Sequence, residues 1–174
     1  MATKEILQLG NPVLRSTCSP VKVVERNTLE ALVEDLRDTL YDFRTRNGYG
    51  RGISAPQIGE SKRVIFVDAG EPLPLVNPVI VKRSRKQVML WDDCFSFPDL
   101  LVKVKRNLAI EVRYQDLSGR KRHLAAEGAL SELLQHEIDH INGILAIDRA
   151  IDTKHIVYRR ELEKREKARE EVLL

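Results

Sequence analysis

Along the chain, apolar residues recur at helical spacing in two stretches, and short β-type runs lie between them. The first helical stretch covers 27–47, where Leu29, Leu32, Val33, Leu36, Leu40 and Phe43 share one face, the three-and-four spacing of an amphipathic helix. Asn27 is placed to cap it, with Glu30 three residues on to reach back to the Asn27 amide. Arg44, Arg46 and Gly48 suit its far end. Ahead of this helix, residues 6–15 read as an extended arm broken by a turn at Gly10-Asn11-Pro12. Residues 48–59 are punctuated by glycine and predict a loop. Strand-like runs follow over 63–68, 75–82, 87–90, 101–105 and 109–115, and Asp116-Leu117-Ser118-Gly119 predicts a hairpin turn into 121–125. The second helical stretch, 128–142, carries Leu130, Leu133, Leu134, Ile138 and Ile141 as its apolar stripe and stops at Gly143. A third, 153–174, has few apolar positions among its Glu, Lys and Arg, which predicts a solvated helix held by charge pairs four apart.

This order of elements points to the α+β class. Antiparallel strands are expected to fold around the 128–142 helix, with the 27–47 helix packed outside and the charged helix last. At 174 residues and 43% hydrophobic content, with no linker or internal repeat, the chain is expected to form a single domain over 1–174. The first residues lack the basic start and apolar core of a secretory signal, and the longest apolar runs, such as Val64-Ile65-Phe66-Val67, are too short to span a bilayer. The expectation is a cytoplasmic chain with no membrane partner. Its net charge of +3 is spread among interspersed acids and bases, which does not suggest a specific nucleic-acid partner. Without an export signal, Cys18 and Cys94 are expected as free or metal-bound thiols.

The chemistry concentrates at His136-Glu137-Ile138-Asp139-His140. Two histidines four apart on a helix leave the same face one turn apart, within reach of a single ion. Glu137 stands about 100° further round the helix, where its carboxylate can take a proton without being a ligand. A metal ion lowers the pKa of a bound water toward neutrality, so such a base can help it attack a carbonyl. Leu133, Leu134, Ile138 and Ile141 turn this face inward, and buried imidazoles and carboxylates need partners. A catalytic site also needs a third protein ligand. Position 146 is alanine, so the third histidine of a metzincin is missing. Glu161 and Glu163 stand roughly where a thermolysin-like protease has its glutamate, and Cys94 is the remaining candidate.

Three segments, in order, resemble the signature motifs of the peptide deformylases. Gly50-Arg51-Gly52-Ile53-Ser54-Ala55-Pro56-Gln57 is similar to Gly-x-Gly-x-Ala-Ala-x-Gln, and Asp92-Asp93-Cys94-Phe95-Ser96 to Glu-Gly-Cys-x-Ser. Gln135-His136-Glu137-Ile138-Asp139-His140 matches Gln-His-Glu-x-Asp-His, and Gly10-Asn11-Pro12-Val13-Leu14-Arg15 is similar to the family's opening. The resemblance implies Cys94, His136 and His140 as ligands of one divalent metal ion, with Fe2+ expected and Zn2+ or Ni2+ able to occupy the site. It implies Glu137 as the acid/base, and the Gln57 amide and Phe95 backbone N–H as donors to a carbonyl oxygen gaining negative charge. Gly50 and Gly52 would lie against the substrate, an N-formylmethionyl peptide that loses its formyl group as formate. A ribosome contact through the C-terminal helix is a further implication, although seven Lys/Arg against five Glu from Thr153 onward give it little charge.

The second motif departs from the family twice, with Asp92 in place of glutamate and Asp93 in place of glycine, and Ser54 replaces an alanine in the first. A carboxylate at 93 adds bulk and charge beside the site, which raises the alternative of a deformylase-like amidase with a shifted acyl substrate. The other alternative is a non-catalytic binding protein with the same fold. Intact Gln57, Cys94, His136, Glu137 and His140 argue for catalysis.

Overall fold

In the computed structural model the described residues are 3–22 and 26–172, with side chains for 3–22 and 28–165. Helix α1 spans Arg26–Asn47, α2 Ala129–His140 and α3 Arg159–Val172. Among the described residues, eight strands accompany them: β1 (Gly52–Ser54), β2 (Val64–Asp68), β3 (Pro72–Arg83), β4 (Gln87–Asp93), β5 (Leu100–Asn107), β6 (Ala109–Gln115), β7 (Lys121–Glu127) and β8 (Ile156–Tyr158). They form two antiparallel sheets, one ordered β1-β2-β3-β6-β7 and the other β4-β5-β8. This is the α+β architecture expected, with α2 packed among strands of both sheets.

The apolar periodicities explain where the helices sit. On α1, Leu29, Val33, Leu36, Leu40 and Phe43 are buried against Ile53, Val64 and Phe66 of β1 and β2. On α2, Leu133, Leu134 and Ile138 pack with Ile65, Val67, Leu75 and Val112 of the larger sheet. Each such side chain stabilises the fold by about 1.5–3 kcal/mol when fully buried. Every residue from Leu133 to His140 is buried, polar ones included, so α2 is an interior helix rather than a surface one. A third cluster joins Val102 and Val104 of β5 to Leu14, Cys94 and Leu145.

Residues 6–15 run as an arm broken by a turn, with the Leu7 and Leu9 amides bonding the carbonyls of Gln57 and Ser96 and a 3-10 turn over Pro12–Arg15 capped by the Asn11 side chain. Three local expectations are corrected. The glycine-rich loop contains β1 and a 3-10 turn, Ala55–Ile58. Its glycines interrupt the apolar pattern, but Gly52, Ile53 and Ser54 pair with Val67, Phe66 and Ile65. The segment 153–158 is a 3-10 turn and strand β8, because Val157 and Ile156 pair with Leu101 and Val102 on the edge of β5. The charged helix therefore begins at Arg159. Finally, the helix begins at Arg26, so Asn27 lies inside it; the side chain assigned as its cap is outside the described residues, as are residues 173–174 of the last helix. The Asp116–Gly119 turn does link β6 to β7, with Gly119 N–H donating to the Asp116 carbonyl at 2.8 Å.

Candidate active site

Helix α2 spaces His136 and His140 one turn apart, and their Nε2 atoms face each other at 3.2 Å. The end of β4 delivers Cys94, whose Sγ lies 3.2 Å from His140 Nε2. All three donor atoms fall within 4.8 Å of one another and all three residues are buried. Two nitrogens and a sulfur around a tetrahedral ion of ordinary bond lengths stand about 3.3–3.6 Å apart. The trio thus fits one ion with little movement. Glu161 and Glu163 are exposed on α3 and outside this cluster, so Cys94 is the third donor that folding brings to the histidines. Cys94 and Cys18 are both free thiols, which excludes a bridge between them.

Behind the histidines lies a buried charge network. His136 Nδ1 is 2.9 Å from Asp92 Oδ1, which orients the ring with Nε2 toward the cluster. Asp92 also accepts from Arg106 Nη2 at 2.8 Å, and Arg106 Nη1 reaches Asp139, which Arg149 holds from the other side at 2.8 Å. The shorter carboxylate at 92 therefore still reaches both partners. Burial by itself would raise its pKa, but His136 and Arg106 outweigh that and hold it well below the usual carboxylate range. Cys18 sits elsewhere in the core, where burial pushes its thiol up.

Glu137 is 3% exposed. Burial raises its pKa, helped by Asp92 and opposed by His136 and Ser54, to about 7. Its Oε2 is buried with no hydrogen-bond partner, as are His140 Nδ1 and Arg106 Nε, and an unpaired buried carboxylate oxygen is available to a ligand. Gly52 explains how it fits: a Cβ there would stand 2.7 Å from Glu137 Oε1 and 2.9 Å from Leu133 Cδ1. Gly50 meets Phe95 the same way, at 2.8 Å, and has φ +132°. Both glycines line the cleft, and both admit a neighbouring site side chain.

Gln57 comes from the 3-10 turn after β1. Its Oε1 accepts from Ser54 N–H at 2.9 Å and Ser54 Oγ at 3.0 Å, which turns Nε2 toward Cys94 Sγ, 3.7 Å away, and Ser96 Oγ. The amide is thus oriented as a donor at the cluster. The Phe95 backbone N–H follows directly after Cys94, and among the described residues it makes no hydrogen bond. The Phe95 ring stacks on Phe43, 3.8 Å between centroids.

Gln57, Cys94, His136 and Glu137 form the floor of a cleft of about 930 Å³. One wall is Tyr49 to Gly52, another is Ala129, Glu132 and Leu133 of α2, and Asp93 and Phe95 close the third side. Two cleft-lining ion pairs, Arg44–Asp68 and Arg51–Glu132, add charge to the walls. Such an arrangement can hold a divalent ion, place a carbonyl against two N–H donors and move a proton through Glu137.

Sequence reasoning missed Arg106. Its signal was present, since Val102, Val104 and Arg106 alternate on the inward face of β5, and an arginine pointing inward requires acidic partners. Ser54, where the family motif has alanine, donates its hydroxyl to Gln57 and helps to hold it in place.

The family model described as polypeptide deformylase matches residues 3–155 of this chain. A peptide deformylase of Desulfitobacterium hafniense is 40% identical over 156 residues, covering 88% of this chain and 98% of that protein. One of Rhizobium meliloti is 38% identical over 154 residues, covering 85% of each. Among solved structures, the peptide deformylase of Thermotoga maritima superposes with a TM-score of 0.81 at 33% identity, over 87% of this chain and all of that one. That of Legionella pneumophila gives 0.81 at 35% identity, over 97% and 98%.

Proposed function

Because this chain belongs to the peptide deformylase family, we propose that Cys94, His136 and His140 hold one divalent ion, at which Glu137, Gln57 and Phe95 carry out deformylation. The enzyme is a metal-dependent hydrolase that removes the N-formyl group from formyl-methionyl peptides and releases formate. The observation that carries the site assignment is the convergence of three buried donor atoms beside a carboxylate oxygen with no protein partner.

When bound, the ion supplies Lewis acidity, polarising the formyl carbonyl and lowering the pKa of water. The chain's own residues do the rest. Gln57 Nε2 and the Phe95 N–H donate to the formyl oxygen as it gains negative charge, and their positions are set before substrate arrives. Glu137 takes a proton as water adds to the formyl carbon and returns one to the nitrogen as the C–N bond breaks, leaving formate and a free amino terminus. A carboxyl group with a pKa near neutrality suits both transfers. Asp92 holds His136 in the ring orientation and tautomer that leave Nε2 free. Gly50 and Gly52, which leave room for the Phe95 ring and the Glu137 carboxylate, are the wall residues proposed to lie against the peptide.

Ferrous iron is the ion proposed, with zinc or nickel compatible with a Cys/His/His set. The cytoplasm is the location proposed, since nascent chains are made there; separately, no described helix is long and apolar enough to cross a membrane. α3 is the segment proposed to touch the ribosome; salt-sensitive co-sedimentation lost on truncation after Tyr158 would support this, and no binding at low salt would remove it.

The test is formate release from formyl-Met-Ala-Ser by anaerobically prepared, iron-loaded protein, with metal content measured in parallel. Glu137→Ala should keep the ion and lose turnover, and Cys94→Ala should lose the ion. Substantial turnover in Glu137→Ala, or an unchanged metal-to-protein ratio in Cys94→Ala, would overturn these assignments.

A further inference from the structure

The acidic residues of the cleft differ in where their countercharges stand. Asp68 is paired with Arg44 and Glu132 with Arg51, and all four line the cleft, so these charges are balanced inside it. Asp92 is committed to His136 and Arg106 beneath the floor. Asp93 lines the cleft as well, but its partner Arg159 does not.

Arg159 approaches from behind, at the first residue of α3. Its Nη2 is 2.8 Å from Asp93 Oδ2, its Nε donates to the Pro98 carbonyl at 3.1 Å, and its guanidinium lies 4.4 Å from the centre of the Tyr49 ring. Its backbone N–H donates to the Asp99 carbonyl at 2.7 Å. Arg159 is therefore fixed at both ends, and it fixes Asp93. Among the described residues no hydrogen bond reaches the other oxygen of Asp93, Oδ1. The Asp93 side chain is 39% exposed, whereas Cys94 next to it is 2% exposed, so the carboxylate stands at the rim above the metal-ligand cluster. Position 93 is also where the chain departs from Glu-Gly-Cys-x-Ser, and Arg159 lies beyond the residues that match the family model.

A formyl group at the cluster leaves the residues that follow it in the cleft that Asp93 lines. We propose that Asp93 determines specificity in deformylation: its carboxylate, positioned by Arg159, favours formyl peptides with a basic side chain next to the formylated residue and disfavours acidic ones. The inference rests on the deformylase reading above. Arg159 shares the carboxylate and the rim is solvated, so the preference has the size of a surface ion pair, about two- to fourfold.

The experiment compares formate release from formyl-Met-Lys-Ser, formyl-Met-Ala-Ser and formyl-Met-Glu-Ser by the full, metal-loaded chain at low and high salt. The Lys peptide should have a KM about two- to fourfold below the Glu peptide at low salt, with kcat nearly the same for both. The gap should close at high salt as screening shortens the reach of the charge. Asp93→Asn, which keeps the shape, and Asp93→Gly should both bring the KM ratio close to one, and Arg159→Gln should widen it by releasing the whole carboxylate charge. Equal KM values in the parent, or a ratio that survives Asp93→Asn or high salt, would overturn the inference while leaving the deformylase reading intact. Formate from none of the three peptides would overturn that reading and this inference with it.

Discussion

Replacing Gly52 with alanine adds a single methyl group at the wall nearest Glu137. The new Cβ would stand 2.7 Å from Glu137 Oε1, against about 3.4 Å for ordinary contact, so the carboxylate has to retreat by about 0.7 Å. Retreat is hindered, because the same Cβ meets Glu137 Cγ at 3.0 Å and Leu133 Cδ1 at 2.9 Å, and Leu133 is itself packed in the core. Overpacking of this kind costs about 1–3 kcal/mol. For a chain of this length that corresponds to a fall in Tm of about 2–10 °C. Displacing a reacting group by about 1 Å costs roughly 100-fold in rate, so kcat should fall roughly 10- to 100-fold. Metal content should stay at the parent ratio, since the three atoms nearest the new methyl group belong to Glu137 and Leu133 and not to the donors. Formate release, thermal unfolding and metal analysis on one preparation separate these effects. A Gly52→Ala enzyme with kcat within about twofold of the parent would refute the placement of Glu137 against this wall.

Other expectations follow from the network around the site and from one exposed turn. Arg106→Met removes the guanidinium shared by Asp92 and Asp139, leaving His136 and Arg149 as their remaining partners, and should lower unfolding free energy by about 3–5 kcal/mol in denaturant titrations; a loss under about 1 kcal/mol would show the network to be dispensable. Ser54→Ala restores the family's alanine and removes one of two bonds to Gln57 Oε1, while the Ser54 N–H bond at 2.9 Å remains. Its kcat/KM should stay within about tenfold of the parent, and abolished turnover would mean the hydroxyl does more than orient Gln57. Asp116 accepts from Ser118 Oγ, the Arg120 amide and Arg122 Nε, which hold its pKa well below the usual carboxylate range. Its folded pKa being the lower one, its contribution is present at neutral pH and is lost as the pH falls below the unfolded carboxylate value. Asp116→Asn should therefore flatten the acid limb of the Tm–pH profile, and an unchanged acid limb would contradict the hydrogen bonds assigned to it.

What could be read from sequence alone was what depends on near neighbours. His136 and His140 share a face because a helix repeats every 3.6 residues, and the stripe of Leu133, Leu134 and Ile138 already said which way that face turns. The long α1 helix and the β6–β7 hairpin were legible for the same reason, since apolar spacing and a turn tetrapeptide are local signals. The motif order pointed to Cys94, but the residues themselves left Glu161 and Glu163 open. Folding decided among these three by ending β4 beside α2, a contact that no local pattern encodes. Strand β8 went unread because its few apolar residues sit in a charged segment, and it extends only because the edge of β5 offers it hydrogen bonds. Asp93 shows the same limit in electrostatic form. From the sequence it was an intrusive charge beside a thiolate, whereas in the fold Arg159 stands behind it and turns it into part of the rim. Local periodicity specifies which residues lie on a common face; the tertiary structure specifies which faces meet, and so which buried charges acquire partners and which are left for a ligand.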